Sequence, residues 1–277
     1  MHLSVLDQSQ RPGRLPGDAA AGSRTLLISE LLCESVDLHA GERVLEVPCG
    51  SGNAALGAAR RFCRAVAVDA PAPLERVRRR ARAEGLEVAV AEGGAGRLPF
   101  PDGCFDAVLS AADVMSAPSP DGAAAELLRV CRPGGRIGLV AWTPDGYPGR
   151  LWAAVGRRLP ASPDGRAPGP PRPHAPDAGG PWGTEQRLRE LFGPEVAITA
   201  PRRSFLWRFP SAEHQVAYLA AFSAPTAGAL LALGPDRAPA LRAELLELAR
   251  RFDVSEDETL VLRLDYLEAV VRKPLWR

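Results

Sequence analysis

The stretch VLEVPCGSGNAA, residues 44–55, combines three kinds of local sequence. Residues 43–47 are mostly apolar, with valine near both ends, which is typical of a buried parallel strand. Gly50 and Gly52 free the backbone for a tight turn and for close approach of a ligand. Residues 53–61 are rich in alanine and favour a helix. The stretch therefore predicts a strand, a glycine turn and a helix whose N-terminus offers unpaired N–H groups to an anionic or polar ligand.

Two kinds of ligand fit this glycine turn. The spacing of Gly50, Gly52 and Ala55 matches the dinucleotide fingerprint, in which a pyrophosphate lies on the helix N-terminus. Glu46, at the end of the strand, argues against a dinucleotide because its carboxylate would repel a pyrophosphate. The same carboxylate suits a ligand that carries an amino group. A strand, turn and helix that bind nothing are the third interpretation.

Residues 45–52, LEVPCGSG, resemble motif I of the class I S-adenosylmethionine (SAM)-dependent methyltransferases, usually LDVGCGTG. SAM carries an amino group on its methionine part, which agrees with the interpretation of Glu46. The resemblance implies that the segment binds SAM. The residues that it assigns to the cofactor are Glu46, Pro48, Cys49, Gly50, Ser51 and Gly52.

A second strand is predicted over residues 65–68 and ends at Asp69. An acidic residue at the tip of this strand can accept hydrogen bonds from both ribose hydroxyls of an adenosine ligand, in NAD and SAM proteins alike. Asp69 and the following Ala70 therefore join the predicted cofactor site. The alternative is an aspartate that only caps the next helix.

Two later segments, residues 92–110 and 126–146, are also similar to the methyltransferase family, the first of them to EGDAERLPFPDGSFDVVLS. Strands alternate with helices throughout this part, which predicts a parallel, doubly wound sheet with its ligand at the carboxyl ends of the strands. The resemblance adds Gly94, Ala95, Ser110 and Ala111 to the cofactor site. We expect a Rossmann-like α/β fold with a seven-stranded, mostly parallel sheet and helical or loop cover over the cleft.

The resemblance covers residues 15–275. Residues 183–193 look like the WGTEERLRELFG helix of an actinobacterial subgroup of these proteins. We expect a mobile arm over residues 1–22 and one methyltransferase-like domain over 23–277. Within that domain, residues 160–182 are rich in proline and form either a lid or a disordered loop. Residues 211–221 and 238–252 predict helices, and 195–199, 204–209 and 259–264 predict strands.

The composition gives little indication of nucleic acid, a membrane or a metal ion as a partner. A formal net charge of +1 over 277 residues gives no general reason to expect nucleic acid or a membrane as a partner. The arginines of the predicted helix 74–85 are interpreted as its solvated outer face: Arg76, Arg78, Arg79, Arg80 and Arg82. No signal peptide or membrane-spanning run is visible, and five scattered cysteines predict free thiols, no metal site and a cytoplasmic protein.

Few residues qualify for catalysis. Methyl transfer chiefly needs proximity and alignment, but an oxygen acceptor must also lose a proton, commonly to histidine. His214 begins a predicted helix that can cover the cleft, and Asp113 follows the fourth strand. A surface position without a catalytic role is the alternative for both.

The sequence departs from the family where the adenine should bind. Gly94 replaces the aspartate that accepts from the adenine amino group, and Gly96 replaces another acid. We predict a SAM-dependent methyltransferase that acts on a small molecule, in secondary metabolism. The alternatives are an enzyme of this fold that catalyses a cyclisation or rearrangement without methylation, and a binding partner with an inactive site. An NAD enzyme is the remotest alternative, and the acceptor and the oligomeric state stay open.

Overall fold

Five parallel strands form the first half of the sheet. The computed structural model describes residues 25–111, 114–158 and 182–275. The parallel strands are β1 (Arg43–Glu46), β2 (Arg64–Asp69), β3 (Val88–Glu92), β4 (Phe105–Ala111) and β5 (Cys131–Trp142). They lie in the order β3-β2-β1-β4-β5, which reverses direction between β1 and β4. The order confirms the predicted doubly wound sheet.

The second half contains β6 (Ala197–Thr199), β7 (Arg202–Phe209) and β8 (Leu260–Arg272). β8 runs antiparallel to β5, and both β6 and β7 pair with its other edge. Thr199 lies opposite Val270 and Arg202 opposite Leu267, so the register continues unchanged from β6 into β7. The two strands follow one line that is interrupted at Pro201, which has no N–H to donate. The predicted seven-stranded, mostly parallel sheet is thus confirmed, with its outermost line broken into two strands.

Helices cover both faces of the sheet. Those in the described residues are α1 (Leu26–Val36), α2 (Asn53–Arg60), α3 (Pro71–Glu84), α4 (Pro120–Val130), α5 (Tyr147–Arg158), α6 (Glu185–Phe192), α7 (Ala212–Phe222) and α8 (Ala224–Arg251). One hydrophobic cluster joins α1, α2 and α3 to the sheet through residues such as Leu32, Ala54 and Val77. A second cluster joins α4 and α6 to the opposite face, through Leu127 and Leu188.

A third hydrophobic cluster lies beyond the carboxyl end of β5. β5 ends at Trp142 opposite Tyr266, whereas residues 260–265 of β8 continue past that point beside β7. The buried side chains of this extension pack on α5, α7 and α8, and they include Leu151, Leu219, Leu245 and Leu262. We call this extension of β7 and β8, with its three helices, the cap. Because ligands bind such sheets at the carboxyl ends of the strands, the cap lies at the ligand edge.

One predicted helix has a different start, and two predicted segments lie outside the described residues. The helix predicted over 238–252 begins earlier, at Ala224, and is kinked at Gly234, where φ is +67°. The predicted mobile arm over residues 1–22 lies outside the described residues, as does the predicted lid except for Trp182.

The described residues contain no single helix that is long and apolar enough to cross a membrane. One pair, Ala212–Phe222 and Pro225–Arg251, meets the length and composition limits only as two segments bent by 94°. Both members contribute buried leucines to the cap, among them Leu219 and Leu245.

Asp106 links three strands at the opposite edge of the sheet. Its carboxylate accepts from the Arg43 backbone N–H at 2.7 Å and from Arg132 Nε at 2.6 Å. Burial alone would raise the pKa of Asp106, but these hydrogen bonds outweigh it and hold the pKa below its ordinary value. The pKa of Asp106 is thus lower in the folded state than in the unfolded state, where it is about 3.9. The ionised carboxylate therefore stabilises the fold at pH values above about 3.9, and this stabilisation is lost as the pH falls through the folded pKa.

We therefore expect Asp106→Asn to lower the free energy of unfolding at pH 7 by about 1–2 kcal/mol. Its difference from the wild type should shrink as the pH falls below about 4. Urea unfolding between pH 3 and 7 measures both effects. Asp102→Asn is the matched control, because the Asp102 side chain is 82% exposed beside Arg129 and should matter little. Equal losses in the two variants would contradict the assignment.

Candidate functional site

The structure brings the predicted strand-end residues to one edge of the sheet. β1 lies between β2 and β4, with Glu46 opposite Ala67 on one side and Leu109 on the other. Asp69 ends β2 opposite Glu92, the last residue of β3. Ser110 and Ala111 end β4. The carboxyl ends of β1 to β4 thus form a continuous edge that carries every described residue of the predicted cofactor site.

The glycine loop between β1 and α2 is held close to α3. Cys49 N donates to Val68 O at 3.0 Å, and Gly52 N donates to Cys49 O at 2.7 Å. Gly50 and Gly52 have φ values of +51° and +76°. A Cβ at position 52 would lie 2.6 Å from Val77 Cγ2, so this position requires glycine for its conformation and for its contact.

Glu46 closes the N-terminus of α2. Its Oε1 accepts from the Ala54 N–H at 3.1 Å and its Oε2 from the Ala55 N–H at 2.9 Å. The carboxylate is only 2% exposed and lies at the positive end of the helix dipole. The prediction that α2 offers unpaired N–H groups is therefore wrong for Ala54 and Ala55. A phosphate would have to displace a buried carboxylate, whereas the contact of Glu46 with an amino group stays a prediction.

Asp69 supports the glycine loop from β2. Its Oδ2 accepts from Gly50 N at 2.9 Å and its Oδ1 from Ala70 N at 2.7 Å. The residue is partly exposed, and each carboxylate oxygen has a second lone pair that can accept from a hydroxyl. Ala70, not Asp69, is the N-cap residue of α3, and no side chain caps that helix. This geometry disfavours the interpretation of Asp69 as a mere helix cap.

In the segment after β3, there is free space beside the two glycines that replace acidic residues of the family. A Cβ built on Gly94 or Gly96 would meet no atom within 4 Å, and neither residue has a positive φ. Beside them, Ala95 and Leu98 are buried. Leu98 N donates to Glu126 Oε2 at 2.7 Å, which fixes the segment to α4. An aspartate at position 94 or 96 is thus sterically possible.

The catalytic candidates are less well supported. His214 is exposed in the first turn of α7, with Nδ1 3.2 Å from the Oγ of Ser211, the residue that caps this helix. This position favours the alternative of a surface histidine. Asp113 lies outside the described residues. Ser110 is buried, and its Oγ accepts from Val114 N at 3.1 Å, so it starts the short 3-10 turn Val114–Ser116. The described residues contain no cluster of His, Cys, Asp or Glu suited to a metal ion.

One contact of the glycine loop was not predicted from the sequence. Arg80 Nη1 donates to Ser51 O at 2.5 Å and to Asn53 Oδ1 at 2.7 Å. The assignment of Arg80 to the solvated outer face of its helix is therefore wrong. Val77, one turn earlier, faces the loop as well, and residues three apart share one side of a helix. That spacing was the available signal.

Comparisons with known proteins find a methyltransferase domain in this part of the chain. The family described as a methyltransferase domain matches residues 44–135. An uncharacterised protein of Mycobacterium tuberculosis is 36% identical over 264 residues, which cover 93% of this chain and 91% of that protein. The demethylmenaquinone methyltransferase of Thermus thermophilus is 41% identical over 116 residues, 40% of this chain and 53% of that one. Methyltransferase GfsG of Streptomyces halstedii is 36% identical over 132 residues, 46% of each chain.

Solved structures share the fold at lower identity. The YcgJ protein of Bacillus subtilis has a TM-score of 0.60 at 18% identity and covers 90% of this chain and 99% of its own. A putative methyltransferase of Bacillus halodurans has a TM-score of 0.58 at 21% identity, covering 89% and 98%. The [4+2]-cyclase SpnF has a TM-score of 0.51 at 22% identity, covering 91% and 81%.

The contact between Gly52 and Val77 leads to a test of the loop. We expect Gly52→Ala to lower the free energy of unfolding by about 2–4 kcal/mol, from its positive φ together with overpacking. Gly85→Ala is the matched control, since Gly85 has φ +66° but no atom within 4 Å of its Cβ position. That variant should lose only the backbone part, about 1–2 kcal/mol.

Combining Gly52→Ala with Val77→Ala should remove the overpacking. Urea unfolding of the two single variants and the double variant then gives a loss smaller than the sum of the single losses. Strictly additive losses would contradict the close contact between the loop and α3.

Proposed function

We propose that this chain, which belongs to the class I SAM-dependent methyltransferase family, transfers the methyl group of SAM to a small molecule. The observation that carries this proposal is the pair of acids at neighbouring strand ends, Glu46 and Asp69, on either side of the glycine loop. Glu46 closes the helix N-terminus to phosphate. Asp69 keeps a partly exposed carboxylate for a ribose. Together they suit an adenosyl ligand without phosphates.

The residues of the edge fit the parts of SAM. Asp69 can accept from the ribose hydroxyls with the lone pairs that the loop leaves unused. Ala95 and Leu98 supply apolar surface for adenine, and Gly50 permits close approach to the loop. The remaining residues that we assign to the cofactor site are Pro48, Cys49, Ser51, Gly52, Ala70, Gly94, Ser110 and Ala111.

SAM supplies a methyl group on a positively charged sulfur, which is already activated for transfer. The task of the chain is then to hold the acceptor in line with that methyl group and to exclude water. The cap lies past the carboxyl ends of the strands and is suited to both tasks. For an oxygen acceptor, we propose His214 or Asp113 as the base that removes the proton.

We infer a small, largely apolar acceptor from secondary metabolism. The cap core is built from aliphatic and aromatic side chains, and no strong net charge favours a nucleic acid. Two relatives carry a methyltransferase name, and one of them is named for demethylmenaquinone, which is compatible with this acceptor class.

One observation favours a second candidate, an enzyme of this fold that cyclises or rearranges a metabolite without methylating it. Gly94 leaves open space where a carboxylate for the adenine amino group was expected. A [4+2]-cyclase is among the structures that share the fold, which makes such chemistry on this scaffold reasonable to test.

The proposal is tested by incubating the protein with methyl-labelled SAM and a panel of quinone-like and polyketide-like metabolites. Methyl transfer predicts labelled product together with an equal amount of S-adenosylhomocysteine. A product of unchanged mass and no SAM consumption would support the second candidate and contradict methylation. Mass spectrometry distinguishes the two outcomes.

The proposed role of Asp69 predicts weaker cofactor binding when its carboxylate is removed. A charge-assisted hydrogen bond is worth about 1.5–3 kcal/mol, so Asp69→Ala should weaken SAM binding roughly 10- to 100-fold. Calorimetric titration measures this change. Glu87→Ala is the control, because Glu87 is exposed before β3, at the opposite edge of the sheet. Unchanged SAM affinity in Asp69→Ala would refute the assignment.

Gly94→Asp should restore the missing acceptor for adenine. We expect wild-type SAM affinity on the order of tens of micromolar or weaker, and a gain of roughly 10-fold or more in the variant. Gly96→Asp adds the same side chain in equally open space two positions away and should give little gain. Sub-micromolar wild-type binding, or no gain in a folded Gly94→Asp variant, would show that the missing carboxylate is immaterial.

A further inference from the structure

The guanidinium of Arg80 lies behind the glycine loop. Its Nη1 atom donates to two acceptors, Ser51 O at 2.5 Å and Asn53 Oδ1 at 2.7 Å. Asn53 is buried, and its Nδ2 donates to Thr25 Oγ1 at 2.9 Å before α1. Burial lowers the pKa of Arg80, but a guanidinium stays protonated in proteins. A cation on α3 thus connects the loop with the start of α2.

These bonds hold some peptide groups of the loop and leave one accessible. The peptide that joins Ser51 to Gly52 is fixed at both polar atoms, since its C=O accepts from Arg80 and its N–H donates to Cys49 O. The N–H of the preceding Gly50 is fixed by Asp69. Within the described part of the chain, the peptide between Gly50 and Ser51 makes no hydrogen bond through its C=O or its N–H.

Two backbone donors at the start of α2 are already used. Glu46 occupies the N–H groups of Ala54 and Ala55 at the start of α2. The Gly50–Ser51 peptide, whose two residues are partly exposed, is therefore a backbone group that a polar ligand at the end of β1 can reach. Its orientation depends on the neighbouring peptide that Arg80 holds, because a rotation of the Ser51–Gly52 peptide would turn Ser51 O away from the guanidinium.

We propose that Arg80 is a positioning residue that orients the Gly50–Ser51 peptide toward the amino acid end of the cofactor. This role rests on the proposed function, because it requires SAM at the loop. Arg80 acts through the loop and contacts no ligand itself. Its charge favours the fixed Ser51 carbonyl, and charge-assisted hydrogen bonds are roughly twice as strong as neutral ones. The side chain therefore contributes to the choice between an adenosyl nucleoside and the complete cofactor.

A purely structural role makes a different prediction, which two ligands can separate. SAM has the amino acid end, whereas 5′-methylthioadenosine has the same nucleoside and lacks that end. If Arg80 positions the loop peptide, its loss should weaken only the ligand that reaches this peptide. If Arg80 merely stabilises α2 and α3, its loss should weaken both ligands equally or neither.

The experiment titrates SAM and methylthioadenosine into the wild type, Arg80→Met and Arg78→Met. Arg80→Met keeps the apolar stem and removes the donors, and we expect SAM affinity to fall roughly 10-fold. Methylthioadenosine affinity should change by less than about two-fold. Arg78 is the matched control, because it pairs with Glu75 on the exposed side of the same helix, and its loss should leave both affinities unchanged. A melting curve for each variant verifies folding.

Arg80→Lys tests the same role if the methionine variant does not fold. Lysine keeps the positive charge on a shorter side chain. The SAM affinity of Arg80→Lys should therefore lie between those of the wild type and Arg80→Met, and its methylthioadenosine affinity should again be unchanged. Equal weakening of both ligands, or no weakening of SAM, would overturn the role of Arg80 while leaving the proposed function intact. A wild type that binds no SAM would overturn both.

Discussion

The site depends on the carboxylate of Glu46 at the N-terminus of α2. A buried carboxylate is costly without partners, and here two backbone N–H groups and the positive end of the helix dipole stabilise it. The interaction joins the end of β1 to the start of α2 and so fixes both ends of the glycine loop. It also removes the feature that makes a helix N-terminus a phosphate site. The edge is thereby adapted to a ligand that carries no phosphate.

The two sides of the edge are built by different kinds of contact. On the side proposed to bind the adenosyl group, short segments at the ends of β1 to β3 supply the acids and the glycines, and neighbouring strands align them. On the side proposed to hold the acceptor, the cap is assembled from α5, α7, α8 and the extension of β7 and β8, which are distant in sequence. Trp142, at the end of β5, packs against the clusters of both faces and of the cap. Because the cap is built separately from the strand ends, the choice of acceptor can change without a change of the fold.

The features that depend on local sequence pattern could be predicted from the sequence. Apolar strands that alternate with helices were sufficient for the doubly wound sheet, and the strand ends placed Glu46 and Asp69 at its ligand edge. The partners of these acids were not predictable, because a carboxylate after a strand can face a ligand or a helix N-terminus equally well. Arg80 was misassigned because a row of arginines indicates an outer face. Its spacing from the buried Val77 was a signal for the inner side, and the contact of Val77 with Gly52 shows that this side of α3 faces the loop. The interruption at Pro201 likewise depends on pairing with β8, which lies far away in the chain.

The most direct test of this account is a calorimetric competition between SAM and NADH on the wild-type protein. With Glu46 on the helix N-terminus, SAM should bind and an excess of NADH should neither bind nor displace it. The pyrophosphate of NADH would meet a buried carboxylate where the dinucleotide fingerprint requires free N–H groups. Binding of NADH with an affinity equal to or greater than that of SAM would contradict the central role of Glu46.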